Sequence, residues 1–257
     1  MSPSSIHLVR LAVDARKLYT FAHRSRATSR EYDVGYALHA LLAALFDHGA
    51  AEDARVAPRP FHIINPAATK LDVLGYAEID AHALADRAKT IADPVAWGVC
   101  ELDDMVSKPM PSAFEAGKRL GFSVRVCPTR RIAKRGPMVR DRAEVDAFLA
   151  KSWEVGPEVP LERQDVYRAW LDEELAKEGA AKVLDASLTN FQIGRFHRRT
   201  QGEGRKGHRT ERPDATFEGE LEIGDGGAFV RRLARGVGRH RSFGFGMLLL
   251  RPARPPR

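Results

Sequence analysis

Nine histidines and two cysteines are the side chains best suited to chemistry near neutral pH, and their spacing sorts them. Cys100 and Cys127 form no metal-ligand or redox spacing and read as reduced packing residues. His7, His23, His48, His62 and His82 have no attending group by spacing, and His197, His208 and His240 stand inside arginine-rich stretches. His39 differs. It lies in GYALHALLAALFDH, residues 35–48, where Leu38, Leu41, Leu42 and Leu45 recur at i, i+3, i+4 and i+7 and mark the buried face of a helix. His39 sits about 100° around the helix from Leu38, at the edge of that stripe, with Tyr36 on the same side. An imidazole with an ordinary pKa of about 6.5 can accept or donate a proton at neutral pH. Helix geometry alone favours a packing role, as for most histidines at a core edge.

A second candidate is GVGRHRSFGFG, residues 236–246. Two Gly-hydrophobic-Gly clamps, at Gly236 and Gly238 and at Gly244 and Gly246, enclose Arg239, His240 and Arg241. Glycine permits positive φ and close approach of backbone N–H groups to an anion, and the arginines supply charge for phosphates. A dinucleotide fingerprint would leave a strand and open a helix; this stretch follows a helical pattern and precedes a strand-like run. No G-K-[ST] follows, which excludes a P-loop. A glycine-rich turn before a final strand is the plainer alternative.

Charge points to a polyanion. Residues 125–135 carry five basic and no acidic side chains, 195–212 seven and two, and 231–241 five and none. These stretches hold +15 of a chain whose net charge is +7, so the rest is near −8. Such concentration in one half suits nucleic acid. Hydrophobic content of 44% over 257 residues supports two ordinary folded units. No apolar run reaches the roughly 18 residues of a membrane span, and MSPSSIHLVR lacks a signal-peptide core. A cytoplasmic protein is expected, without membrane association or small-molecule cofactor.

The positioning elements follow from periodicity. IHLVRLAV (6–13) alternates as a strand, 14–34 reads as a basic loop with Arg24, Arg26 and Arg30, and the helix at 35–48 ends at Gly49. Strands are expected at 60–64, 71–79 and 97–102, with a helix at 81–91 capped by Asp80. That order is a ferredoxin-like β-α-β-β-α-β unit. After a proline-broken linker from Ser107 come a strand at 119–127, a turn at 128–131, helices at 141–153 and 163–177, and strands at 191–199 and 216–223. A polar connection (201–214) joins those two strands; a helix at 228–235, the glycine loop and a strand at 247–250 complete the chain. The fold class is α+β, two ferredoxin-like domains in tandem, 1–105 and 106–257.

GVGRHRSFGFG resembles the glycine-rich loop of the RAMP proteins of CRISPR systems, most closely the CasE-type endoribonucleases of type I-E systems. The SKP linker, AGKRLGFSVR (116–125) and Pro128-Thr129-Arg130-Arg131 follow in family order, although Val126-Cys127-Pro128 stands where relatives have Ala-Asn-Pro. Tyr36-Ala37-Leu38-His39 matches the family's Tyr-x-x-His in type, spacing and element. The resemblance implies metal-independent cleavage of CRISPR repeat hairpins, with His39 moving a proton and Tyr36 beside it. The products would be a 2′,3′-cyclic phosphate and a 5′-OH. It implies that the crRNA hairpin is kept within the Cascade complex, beside other subunits such as the backbone RAMP protein. Relatives carry basic residues where Ala40 and Ala44 stand, so the phosphorane's counter-charge is expected from Arg24, Arg26, Arg30 or Arg241. RNA contacts are expected from Arg125, Arg130, Arg131, Lys134, Arg135, Arg195, Arg198, Arg199, Arg205, Lys206, Arg239 and Arg241. A non-catalytic RAMP subunit that caps guide RNA is the alternative, and a general RNA-binding module outside CRISPR systems a third reading.

Overall fold

A computed structural model describes residues 6–25, 32–51, 54–133, 142–199 and 207–254, with 195–199 and 207–210 described by backbone alone. Lys134, Arg135, Arg205, Lys206, Arg26 and Arg30 therefore lie outside the described residues.

The first half contains β1 (His7–Asp14), α1 (Ala15–Arg24), α2 (Val34–Phe46), β2 (Phe61–Ile63), β3 (Lys70–Ala77), α3 (Ala81–Ile91) and β4 (Val106–Pro109). Its antiparallel sheet runs β2-β3-β1-β4. The second half contains β5 (Arg119–Val126), β6 (Thr129–Ile132), β7 (Ala143–Asp146), α4 (Ala147–Val155) and α5 (Arg163–Ala176). These are followed by β8 (Ala181–Arg199), β9 (Gly207–Ile223), α6 (Gly226–Arg235) and β10 (Leu248–Pro252). Its main sheet runs β10-β5-β9-β8, and the small hairpin β6-β7 stands apart. In each half the last strand of the unit lies beside the first, the first beside the third and the third beside the second. The expected tandem ferredoxin-like fold is present twice over.

Local sequence explains the elements. Val9, Leu11 and Val13 alternate into the first core, each fully buried. Asp14, Asp33 and Asp80 cap α1, α2 and α3 by accepting from the backbone N–H groups of Lys17, Tyr36 and Ala83 at 2.8, 3.1 and 2.8 Å. Such caps contribute about 1 kcal/mol each. The α2 stripe Leu38, Leu41, Leu42 and Leu45 is almost fully buried, as its period requires.

Four expectations need correction. The stretch read as a loop contains α1, whose Leu18, Phe21 and Ala22 are buried under a basic outer face too polar to show in a plain hydropathy pattern. The fourth strand lies at Val106–Pro109, so the first sheet extends past residue 105. Residues 97–102 contain Gly98 at φ +74° and run into a short turn at Leu102–Asp104, and only Cys100 makes an isolated bridge, to Val13. The expected turn at 128–131 contributes β6, paired with β7, which takes the first part of the helix expected at 141–153 so that α4 begins only after its cap Asp146. Finally, β8 and β9 pair from Ala181↔Ile223 out to Arg199↔Gly207, so most of the expected connection is strand. Its outer part is rich in polar residues and lacks the alternation that reveals half-buried strands.

The two cores share a wall. Ile6 and Tyr76, from the first sheet, are buried with Phe122, Phe217 and Met247 in the second core. The Tyr76 hydroxyl donates to the Leu248 carbonyl at 2.9 Å. Tyr76→Phe leaves that carbonyl short of a donor, and urea unfolding is expected to show a loss of about 1 kcal/mol.

Candidate active site

Helix α2 presents Tyr36 and His39 half-buried at the edge of its leucine stripe. The glycine loop of the other half closes over them. The Val237 N–H donates to Gly246 O at 2.8 Å and the Gly246 N–H to Arg125 O at 2.7 Å, while Val237 and Phe245 are fully buried. Gly246 has φ +75°, and a Cβ there would lie 2.3 Å from Val237 O. No other residue fits that position. The clamp pushes the 241–243 turn onto α2. The Phe243 ring stacks on Tyr36 (centroids 5.8 Å apart, 15° between planes) and meets His39 edge-on at 5.0 Å. At Gly35 a Cβ would fall 2.4 Å from Phe243 O, so helix and loop touch backbone to backbone.

His39 is held neutral. Burial and then the Arg59 charge push its pKa down to about 4; Asp47 opposes the shift and Arg55 reinforces it. Its Nδ1 is buried without a partner, which leaves Nε2 as the nitrogen for exchange with a substrate. Arg59 pairs with buried Asp47 at 3.2 Å, and Asp47 also accepts from the Val56 and Ala57 N–H groups at 2.7 and 3.0 Å. Burial lowers the Arg59 pKa as well, and its Nε is buried without a partner. Pro60 and Phe61, the next two residues, pack against Gly236 and Gly244. Arg59 thus stands between α2 and the loop. It lies twenty positions from His39 in the aperiodic run ARVAPRPFH, and no sequence signal marks it.

The expected RNA contacts divide. Arg125 holds buried Asp214 with two hydrogen bonds of 2.8 and 2.7 Å, and its guanidinium lies 4.4 Å over the Phe245 ring. It braces the loop. Arg239 and His240 both engage Glu144, at 3.0 and 2.6 Å, with the Thr129 hydroxyl at 3.0 Å. Burial alone would raise the Glu144 pKa, but the His240 hydrogen bond and the charges of His240, Arg212 and Arg239 hold it at about 2. His240, with 7% of its side chain exposed, belongs to this internal network. Cys127 completes a group whose donor atoms lie within 4.8 Å of one another. Its thiol is kept protonated by burial and Glu144 is committed to cations, so the group is a poor donor set for a metal.

Arg130, Arg131 and Arg241 are exposed, and with Lys177 they line a cleft of about 660 Å³ beside the loop, although Arg130 also meets Glu173 at 2.6 Å. Among the described residues Arg131 makes no ion pair. Arg195, Arg198 and Arg199 lie on the outer part of β8. Arg24 ends α1. The site needs the helix–loop contact. Gly35→Ala is expected to destabilise the protein by about 1–3 kcal/mol in chemical unfolding, the cost of forcing one extra carbon into a filled contact.

Comparison with known proteins bears on the fold and the family. No curated protein sequence matches. Among solved structures, CRISPR endoribonuclease Cse3 bound to a 19-nucleotide RNA superposes with a TM-score of 0.62 at 21% identity, covering 96% of this chain and 100% of that one. Thermus thermophilus Cse3 bound to an RNA representing a pre-cleavage complex gives 0.57 at 19%, covering 96% and 100%. The CRISPR-associated protein Cas6e from Escherichia coli K-12 gives 0.53 at 21%, with the same coverage. No described helix is long and apolar enough to cross a membrane. The family model described as CRISPR associated protein matches residues 6–252, and the chain belongs to that family.

Proposed function

We propose that this protein is a CasE-type endoribonuclease that cleaves the repeat hairpins of precursor CRISPR RNA without a metal and keeps the cleaved hairpin within a surveillance complex. The observation that carries the reading is the meeting of Tyr36 and His39 on α2 with Phe243 of the glycine loop, beside the cationic cleft. Support comes from similar folds seen in Cse3 bound to RNA and in a CRISPR RNA-guided surveillance complex, the latter at TM-score 0.52 and 16% identity.

The chemistry follows from charge and protonation. The His39 imidazole, neutral at pH 7, accepts the proton of a ribose 2′-OH through Nε2. The 2′-oxygen attacks the adjacent phosphorus, the P–O5′ bond breaks, and the departing 5′-oxygen takes up a proton. The products are a 2′,3′-cyclic phosphate and a 5′-OH. Tyr36 orients the ribose or phosphate through its hydroxyl. With Ala40 and Ala44 on the helix, positive charge beside His39 comes from Arg59, while Arg241 lies in the glycine loop.

Incubation of the host's repeat RNA in EDTA, with wild type and His39→Ala, tests the proposal. Wild type is expected to yield cyclic-phosphate product and the variant to lose about 10²–10⁴ in rate. Full activity in the variant would overturn the role of His39. Absence of cleavage by either, with binding retained, would support a guide-RNA-capping subunit, the reading that Ala40 and Ala44 favour.

The pH profile gives a second test. The active form is the neutral imidazole, and its folded pKa lies below the ordinary value. The rate is therefore expected to hold as pH falls through about 6.5 and to drop only toward about 4 in kcat/KM, which reports the free protein. Arg59→Gln removes the strongest neighbouring charge opposing protonation, so that acid limb is expected to move upward.

A further inference from the structure

Outside this site, α1 and the residue Tyr32 ahead of α2 form a second aromatic group that the cleavage chemistry does not use. The Tyr19 ring lies 4.3 Å from that of His23 and 5.2 Å from that of Tyr32, centroid to centroid. Tyr19 and Tyr32 are 49% and 39% exposed, and His23 is exposed as well. Tyr32 stands just ahead of α2, and Tyr19 and His23 stand on the exposed side of α1, which Leu18, Phe21 and Ala22 already anchor to the core, so these rings are not part of the core. Cations frame them. Arg16, Lys17 and Arg24 are exposed on the same helix, and among the described residues none of the three pairs with a carboxylate. Burial, Asp33 and Tyr19 push the Tyr32 phenol up to about 12, so it adds no negative charge at neutral pH.

Position ties the group to the site. Tyr32 stands two residues before α2, Tyr36 lies in the first turn and His39 in the second. At about 1.5 Å per residue His39 is roughly 8 Å from the start of the helix. A chain held at His39 and leaving over the α2 N-terminus passes from the Tyr36–Phe243 stack toward Tyr32 and Tyr19. The exposed cations of the cleft, β6 and the glycine loop belong to the second half, which suits the backbone of a duplex stem. The surface beyond α2 in the other direction offers rings and well-spaced cations. That combination fits unpaired bases, whose faces stack on aromatics while the backbone follows the charge.

We infer that Tyr19, His23 and Tyr32, flanked by Arg16, Lys17 and Arg24, form a stacking platform for the single-stranded RNA that leaves the scissile phosphate on the side away from the hairpin. The inference rests on the repeat-cleavage reading for the placement of the phosphate. The platform holds one to three unpaired nucleotides and gives little base preference, because every base has a π face. It adds affinity for substrates with a flank without adding contacts to the stem.

Equilibrium binding in a His39→Ala background tests this with two RNAs, the bare repeat hairpin and the same hairpin with ten unpaired nucleotides beyond the cleavage position. The flanked RNA is expected to bind on the order of tenfold more tightly per stacked base. Tyr19→Ala with Tyr32→Ala is expected to abolish that advantage while leaving bare-hairpin affinity and the melting temperature unchanged. Tyr19→Phe with Tyr32→Phe, which keeps the rings, is expected to preserve it. Equal binding of both RNAs by the parent protein would overturn the platform and leave the cleavage reading intact. Failure to bind either RNA would overturn both. A flank advantage that survives the double alanine change would overturn the platform and assign the flank to another surface.

Discussion

The structure turns on one contact, the backbone of Gly35 in α2 against the carbonyl of Phe243 in the glycine loop. It joins the first half of the chain to the second at the point where the candidate chemistry sits. Everything nearby serves that closeness. Asp33 caps the helix nearly two turns before His39, the leucine stripe fixes its rotation, and the double clamp at 236–246 fixes the loop. Tyr76, buried in the second core and bonded to Leu248, holds the two sheets in register behind it. Because packed interiors tolerate little volume change, His39, Tyr36 and Phe243 inherit a fixed geometry from residues that do no chemistry.

Burial divides the chain's positive charge into two populations. Arg125, Arg239 and His240 are consumed by Asp214 and Glu144, whose carboxylates are nearly enclosed. A buried carboxylate without such partners would be strongly destabilising, so these cations hold the loop and the β6-β7 hairpin together. Arg131 and Arg241 face the cleft, and their solvent exposure leaves them able to meet a phosphate backbone. Arg59 sits between the two groups. It stabilises Asp47 at the end of α2 and at the same time adds to the burial that keeps His39 unprotonated.

The two halves share strand order yet differ in what they present. The first supplies a helix with Tyr36 and His39 and, one helix away, the exposed rings of α1. The second supplies the cationic cleft, the glycine loop and the long β8-β9 ribbon. Fold alone does not choose among functions. The division of labour arises from insertions within the common plan, α1 ahead of α2 in one half and β6, β7 and α4 ahead of α5 in the other.

Most of the elements were legible in sequence because their signals are local. Alternation gave β1, a heptad-like stripe gave α2, Asp80 gave the start of α3, and paired glycines gave the clamp. Residue type and spacing also singled out Tyr36 and His39, which share a face by helix geometry alone. Local signals failed where stabilisation is tertiary. The β4 strand depends on pairing with β1, the outer β8-β9 ribbon pairs without a clear buried face, and α1 hides its apolar side among basic residues. The site's electrostatics were likewise out of reach. Whether an arginine meets a carboxylate or faces open solvent depends on residues tens of positions away, as with Arg125 and Asp214 or Arg239 and Glu144. The sequence by itself determined which residues are able to do chemistry and which stretches are helical or extended, since those follow from side-chain type and short-range periodicity. Only the tertiary structure decided that Phe243 touches His39, that burial and then Arg59 keep its imidazole neutral, and that Arg125 and Arg239, two of the expected RNA-binding cations, are struts on enclosed carboxylates, because contacts between distant segments are set by packing.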